Sequence, residues 1–154
     1  MSVQAQPAGY HALTPYLIID GAARAIQWYR DVLGAHEEMR LNGPGNRVGH
    51  AEMRIGDSKI MLADAHPEMG IDGPGKFGGS PVSLHLYLPD VDAMVAKAAA
   101  AGATVKSQPE DKFYGDRLGT IVDPFGHTWH VSTHIEDVSP EEIERRLAAM
   151  LKKE

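Results

Sequence analysis

The stretch DKFYGDRLGTIVDPFGHTWHVSTH, residues 111–134, predicts two β-strands joined by a turn at Asp123–Gly126. Proline and glycine within four residues, between runs rich in valine, isoleucine and threonine, are typical of a hairpin. The second strand alternates, so we expect its polar face to line a small-molecule cavity and its other face to pack against a helix. The polar face carries Thr128, His130, Ser132 and His134, and the other carries Trp129, Val131 and Thr133.

The same order of elements is predicted twice along the chain. Residues 13–65 read as a strand, a helix that ends before Gly34, and three further strands. Residues 82–136 repeat this order, with a helix that ends near Gly102. Each copy is too small to bury its own sheet, so the two should share a core. The prediction is an α+β fold, in which two βαβββ modules form curved mixed sheets around a cavity.

Three segments lie outside the modules. Residues 1–12 are predicted to be a loose N-terminal arm and residues 66–81 a linker rich in glycine and proline. Residues 137–154 are predicted to hold a C-terminal helix that Ser139 caps, with Pro140 at its first position. An apolar stripe on this helix should pack on the body or reach a partner subunit. The stripe consists of Ile143, Leu147 and Leu151.

Composition argues against several classes of function. The formal net charge is −6 with no basic stripe, so we expect no nucleic-acid partner. The chain has no cysteine, so disulfides and thiolate metal sites are excluded. No apolar run approaches the roughly 20 residues that span a bilayer, and the N-terminus lacks a signal-peptide pattern. We therefore expect a cytoplasmic protein with no membrane association.

Three strings carry a family resemblance. They are TPYLIIDGAARAIQWYRDVLGA (residues 14–35), SLHLYLPDVDAMVAKAAAAGA (83–103) and FYGDRLGTIVDPFGHTWHVSTH (113–134). Together with the repeated module, they resemble the PhnB-like branch of the vicinal oxygen chelate superfamily, over about residues 12–136. That superfamily holds glyoxalase I, the bleomycin- and fosfomycin-resistance proteins and the extradiol dioxygenases. The resemblance implies cavities that two modules or two chains complete, and hence a homodimer.

The resemblance also implies four metal-ligand positions, one on each of four cavity strands and usually histidine or glutamate. In this chain they fall on Thr14, Met61, Ser83 and His130. Only His130 suits a divalent metal, because a thioether is a soft ligand and hydroxyls are weak neutral ones. We therefore expect that most ligands of the standard glyoxalase metal site are missing.

A different set of residues is the candidate catalytic and metal-binding site. His130 and His85 are predicted to face the cavity, as is Glu52, which shares its strand face with His50 and Arg54. Two histidines and one carboxylate suit Fe, Mn, Ni or Zn. Alternatively, one histidine is a general base that Glu52 orients, or both are hydrogen-bonded wall residues.

Candidate ligand-binding residues surround this set. Arg117 would capture a carboxylate or phosphonate, or else pair with Asp116 or Glu110 on the surface. Phe113 and Tyr114 would form an aromatic lid over an apolar ligand, or anchor a loop. The remaining candidates are expected on the cavity wall. These are Tyr16, Ser83, Tyr87 and Thr128.

Two functions remain open from the sequence. The first is a glyoxalase- or bleomycin-resistance-like protein that binds a small organic molecule in its cavity, without the standard glyoxalase metal site. The alternative is a metal-dependent lyase, isomerase or dioxygenase that uses the non-standard histidine and glutamate site.

Overall fold

A computed structural model describes residues 2–153, and the chain divides after Ser80 into two compact units. Each unit contains a four-stranded mixed sheet and a helix, and the second unit also contains the C-terminal helix. The predicted α+β class, with two βαβββ modules and a C-terminal helix, is therefore confirmed. Among the helices of residues 2–153, none is both long and apolar enough to cross a membrane.

The first unit holds four strands and one α-helix. They are β1 (Tyr16–Ile19), α1 (Ala22–Leu33), β2 (His36–Asn42), β3 (Val48–Ile55) and β4 (Ser58–Asp64). The strand order in the sheet is β1-β4-β3-β2, with β1 parallel to β4 and the other pairs antiparallel. The first strand begins at Tyr16, inside the module predicted over residues 13–65.

The second unit repeats this arrangement. Its elements are β5 (Ser83–Tyr87), α2 (Val91–Ala100), β6 (Thr104–Asp111), β7 (Asp116–Val122), β8 (Thr128–His134) and α3 (Pro140–Leu151). The strand order is β5-β8-β7-β6, again with only the first pair parallel. The duplicated topology therefore matches strand for strand.

Each module helix receives a cap from the last strand of its module. In the first unit, Asp64 Oδ1 accepts hydrogen bonds from the backbone N–H groups of Gly21 and Ala22, at 3.1 and 2.8 Å. In the second, the hydroxyl of Thr133 accepts one from the N–H of Val91 at 3.0 Å. The first N–H groups of a helix have no partner within it, so these contacts fix helix to sheet.

The hairpin between β7 and β8 is built around the buried Asp123. Its Oδ1 accepts from the backbone N–H groups of Phe125 and His127, at 2.9 and 3.0 Å. Its Oδ2 accepts from Trp129 Nε1 at 2.9 Å. Trp129 is 2% exposed and packs on the helix-covered side of the sheet. The predicted turn and alternation of β8 are confirmed, although Ser132 on the polar face is itself buried.

The loop before β7 is tied to the segment that leads into α3. The carbonyl of Gly115 accepts from the N–H groups of Ile135 and Glu136, at 2.9 and 3.0 Å. Arg146 on α3 donates to the carbonyl of Phe113 at 3.0 Å. As predicted, Ser139 caps α3, by accepting from the N–H of Glu142 at 3.2 Å. The C-terminal helix is thereby held to its own unit.

Candidate functional site

In the first unit, the sheet face away from α1 carries a chain of four hydrogen-bonded side chains. Tyr16 Oη lies 2.8 Å from His50 Nδ1, and His50 Nε2 lies 2.8 Å from Glu52 Oε2. The hydroxyl of Tyr10, from the N-terminal arm, donates to the other oxygen of Glu52. Alternation along β3 puts His50 and Glu52 on this face, as the sequence predicted.

Burial and hydrogen bonding determine the protonation states of Glu52 and the two tyrosines in this chain. The hydroxyl of Tyr10 and then the ring of His50 hold the pKa of Glu52 below its ordinary value. Burial, and then the Glu52 hydrogen bond, raise the pKa of Tyr10 to about 12. Burial and the Glu52 charge also raise the pKa of Tyr16. Near neutral pH, Glu52 is therefore a carboxylate that accepts from two neighbours, and both phenols keep their protons.

A cavity of about 480 Å³ lies beside this chain in the first unit. Its wall includes Tyr10 and both first-unit positions to which the family resemblance carries metal ligands, Thr14 and Met61. Met61 is the register partner of Tyr16 on one side and of Glu52 on the other, so the cavity adjoins the polar chain. The remaining wall residues come from the arm. They are Ala5, Gln6, Pro7, His11 and Ala12.

Within the predicted N-terminal arm, Tyr10 contacts the sheet of the first unit. This side chain is partly buried, and Lys59 Nζ lies 4.3 Å from the centre of its ring. Sequence reasoning missed the contact because no local pattern ties an aromatic residue in a polar arm to a glutamate on a distant strand. The sequence feature that could have indicated this contact is a single tyrosine in a segment of otherwise small and polar residues.

The Glu52 carboxylate should make the first unit sensitive to acid. Its pKa in the folded protein is lower than in the unfolded chain, where the ordinary value is 4.5. Its stabilisation is therefore present above that value and is lost as pH falls through the folded pKa. Between about pH 6 and about pH 3, the urea midpoint should fall further in the wild type than in Glu52→Gln.

The control for this prediction is Glu141→Gln, which changes an exposed glutamate on α3. This variant should follow the wild-type acid profile. Parallel profiles for the wild type and Glu52→Gln would contradict the assigned role of Glu52.

In the second unit, His85 and His130 are register partners on neighbouring strands, and their ring centroids are 6.0 Å apart. His85 Nε2 lies 2.9 Å from Ser132 Oγ, and His130 Nδ1 lies 2.9 Å from Thr120 Oγ1. Burial, and then the neighbouring His130, lower the pKa of His85. A neutral imidazole of this kind can accept a proton or ligate a metal.

The same sheet face holds three more of the predicted ligand-binding residues. Ser83 and Thr128 are register partners, and the ring of Tyr87 stacks on His85 with centroids 4.8 Å apart. The Tyr87 hydroxyl donates to the buried Asp116 at 3.2 Å. His134, which the sequence placed on the polar face of β8 but not among the candidate site residues, lies 2.7 Å from the other Asp116 oxygen. Asp116 and then Asp137 raise the pKa of His134.

The structure does not bring Arg117 to this face. Its guanidinium donates to both oxygens of Asp92 on α2, at 2.7 and 2.9 Å, and to Asp111 at 3.0 Å. It therefore lies on the helix-covered side, whereas Thr120 of the same strand reaches His130 on the other side. Its partners also differ from the expected Asp116 and Glu110, because register across the sheet and helix placement decide them.

Phe113 and Tyr114 pack edge to face, with ring centroids 5.2 Å apart. The hydrogen bond from Arg146 to the Phe113 carbonyl fixes this loop against α3. That contact favours the loop-anchor interpretation over a mobile aromatic lid.

Three of the four residues at the standard superfamily metal positions do not fit a divalent metal. Thr14 and Met61 line the first-unit cavity as a hydroxyl and a thioether, and Ser83 offers a second hydroxyl. Within residues 2–153, no group of three or more histidine, aspartate or glutamate side chains is placed to hold a metal ion. Glu52 belongs to the first unit and the two histidines to the second, so their predicted common metal site stays a prediction.

Comparison with known families agrees with the fold. The model of the glyoxalase/bleomycin resistance protein/dioxygenase superfamily matches residues 10–131. The chain belongs to this superfamily.

Relatives extend the comparison over nearly the whole chain. An uncharacterized protein of Mycobacterium bovis is 39% identical over 153 residues, which cover 97% of each chain. Among solved structures, the fosfomycin resistance protein of Listeria monocytogenes has a TM-score of 0.65 at 13% identity, and covers 86% of this chain and 97% of its own. A PhnB protein from Bacillus cereus has a TM-score of 0.63 at 15% identity, with coverages of 80% and 99%. At such identities these two structures support the fold alone.

Proposed function

We propose that this protein binds a small organic molecule in the cavity of its first unit, without the standard glyoxalase metal site. The observation that carries the proposal is the cavity of about 480 Å³. Ligand pockets typically measure about 300–1,000 Å³ and combine apolar walls with a few fixed polar groups. Here alanine, proline and methionine side chains supply the apolar wall, and Thr14 and Tyr10 supply polar groups.

The chemistry of the neighbouring side chains favours binding over catalysis. In the Tyr16–His50–Glu52–Tyr10 chain each hydrogen bond joins two protein groups, so each of these side chains has a partner within the protein. The phenols of Tyr10 and Tyr16 have raised pKa values, so near neutral pH neither supplies a phenolate that could act as a base. Pre-organised hydrogen-bonding groups of this kind select ligands without any covalent step.

Filling the cavity should abolish binding. We expect compounds from a library of small organic molecules to raise the Tm of the wild type, because a ligand that binds only the folded state stabilises it. The variant Ala12→Trp places a large ring in the cavity wall and should lose these shifts. The matched control is Ala23→Trp, which puts the same ring on the exposed side of α1.

Either of two results would contradict the proposal. One is Tm shifts in Ala12→Trp equal to those of the wild type, and the other is a library with no compound that shifts the wild type. Differential scanning fluorimetry followed by titration calorimetry measures both.

A metal-dependent lyase, isomerase or dioxygenase is the second candidate, and the paired imidazoles of His85 and His130 favour it. The same titrations decide between the two candidates. Binding that survives dialysis against EDTA supports the metal-free proposal. Binding that EDTA abolishes, and that Fe, Mn, Ni or Zn restores in the wild type but not in His130→Ala, supports the metalloenzyme.

Four finer assignments stand as proposals beside this function. They are membership of the PhnB-like branch, a homodimer, a cytoplasmic location and the absence of nucleic-acid or membrane partners. The homodimer draws support from exposed apolar residues on α3. These are Leu147, Met150 and Leu151.

A further inference from the structure

We propose that the polar face of the first unit is a binding site for phenols, and that the chain's own Tyr10 occupies it as a tethered stand-in for the ligand. The inference rests on the proposed function and names its ligand class. Removal of the Tyr10 side chain should free the site for a phenol in solution.

The site recognises both parts of a phenol. Glu52 accepts the hydroxyl of Tyr10, and the ammonium of Lys59 lies 4.3 Å from the centre of the ring. A cation over an aromatic face and a carboxylate at its hydroxyl together select a hydroxylated ring. A benzoate in the same place would meet Glu52 with like charge, and a plain arene would leave the carboxylate without its second donor.

Other residues hold these two groups in place. His50 Nε2, 2.8 Å from Glu52 Oε2, leaves Oε1 directed at the incoming hydroxyl. Glu38 lies 3.5 Å from Lys59 Nζ, and the Lys59 side chain is only 17% exposed. The acceptor and the cation therefore each have a partner besides Tyr10, namely His50 and Glu38.

Tyr10 is attached to the sheet by few bonds, so its side chain can be displaced from the site. Residues 2–9 are exposed, and the backbone N–H of Tyr10 bonds only within the arm, to Pro7 at 3.2 Å. Within the described residues 2–12, Tyr10 alone makes a hydrogen bond to the sheet, and its acceptor is Glu52. Tyr10 also lines the cavity, so removal of its side chain, with the rest of the arm in place, would open the phenol site directly onto that space.

A tethered group competes strongly with a free ligand. A short flexible linker gives the tethered phenol an effective concentration in the millimolar range. A weakly binding phenol must therefore displace Tyr10 in the wild type, but meets an open site in Tyr10→Ala. We expect the affinity for such a probe to be about tenfold or more higher in the variant.

The experiment uses the full chain and two probes, para-cresol and its methyl ether para-methylanisole, which is one methyl group larger and has no hydroxyl proton. Para-cresol should raise the Tm of Tyr10→Ala and shift backbone amide signals near Glu52 and Lys59 in NMR titrations. It should do neither for the wild type at the same concentration. Para-methylanisole should fail with both proteins, and para-cresol should lose its effect when Glu52→Gln is added to Tyr10→Ala.

Three results would overturn the assignment: equal binding of the two probes by Tyr10→Ala, equal para-cresol affinity in the wild type and the variant, or no binding by the variant. Tyr10→Phe retains the ring without the hydroxyl, so its para-cresol affinity should lie between those of the wild type and Tyr10→Ala. Circular dichroism shows whether each variant is folded.

The two proposals fail separately. If library compounds without a hydroxyl bind the wild type and not Ala12→Trp, while para-cresol shows no preference for Tyr10→Ala, the cavity function stands and the phenol assignment fails. If para-cresol binds Tyr10→Ala more tightly than the wild type, while Ala12→Trp binds library compounds like the wild type, the phenol assignment stands and the cavity function fails.

Discussion

Replacing Gly115 by alanine should destabilise the second unit by at least about 3 kcal/mol. The backbone φ of Gly115 is +100°, which side-chain-bearing residues rarely adopt. A Cβ at this position would lie 2.1 Å from the carbonyl oxygen of Glu136 and 3.1 Å from Val138 Cγ2. Both contacts are made by the segment between β8 and α3, so the chain cannot accept the methyl group without moving that segment away.

Urea unfolding measures this loss, and Gly56→Ala is the matched control. Gly56 also has a positive φ, +58°, but a Cβ there meets no atom within 4 Å. The control isolates backbone strain and should cost about 1 kcal/mol. Similar losses in the two variants would contradict the assigned collision with Glu136.

Asp123→Ala should cost about 4 kcal/mol, because three donors lose one charged acceptor at once. They are the N–H groups of Phe125 and His127 and the indole N–H of Trp129. The aspartate is 3% exposed, so water can replace it only after the hairpin has opened. We expect β8 to lose its fixed register and the Trp129 ring its fixed position.

Tryptophan fluorescence reports this change directly. The chain has two tryptophans, so a Trp28→Phe background assigns the signal to Trp129. Asp123→Ala should then shift the emission to longer wavelength and lower the urea midpoint. The control Asp57→Ala removes an exposed turn aspartate that accepts only a hydroxyl bond from Ser58, and should cost less than about 1 kcal/mol. An unchanged Trp129 emission would disprove the assigned role of Asp123.

The features that sequence predicted well are those with a local cause. The turn at Asp123–Gly126 follows from proline and glycine chemistry, and the ends of α1 and α3 follow from Gly34 and Ser139. Alternation along β3 and β8 placed Glu52 and His130 on the correct faces, because successive side chains of a strand point to opposite sides.

The features that sequence missed depend on distant partners. The bond between Tyr10 and Glu52 joins residues 42 positions apart, and the Arg117–Asp92 pair joins residues 25 positions apart. Neither separation follows from the period of a strand or a helix. The ion pairs predicted for Arg117 rested on side-chain type alone and named the wrong partners. Tyr10 carried no periodic signal and was assigned to the arm.

The helix caps supplied by Asp64 and Thr133 bear on how each half acquires its structure. Both contacts close over the same distance along the chain, 42 residues. During synthesis, α1 cannot receive its cap until residue 64 has left the ribosome. Helix α2 has a local cap, since Asp90 accepts from the N–H of Ala93 at 3.0 Å, but the N–H of Val91 must wait for residue 133. Each half should thus mature in one late, concerted event, when its final strand arrives, rather than by gradual growth from its first turn.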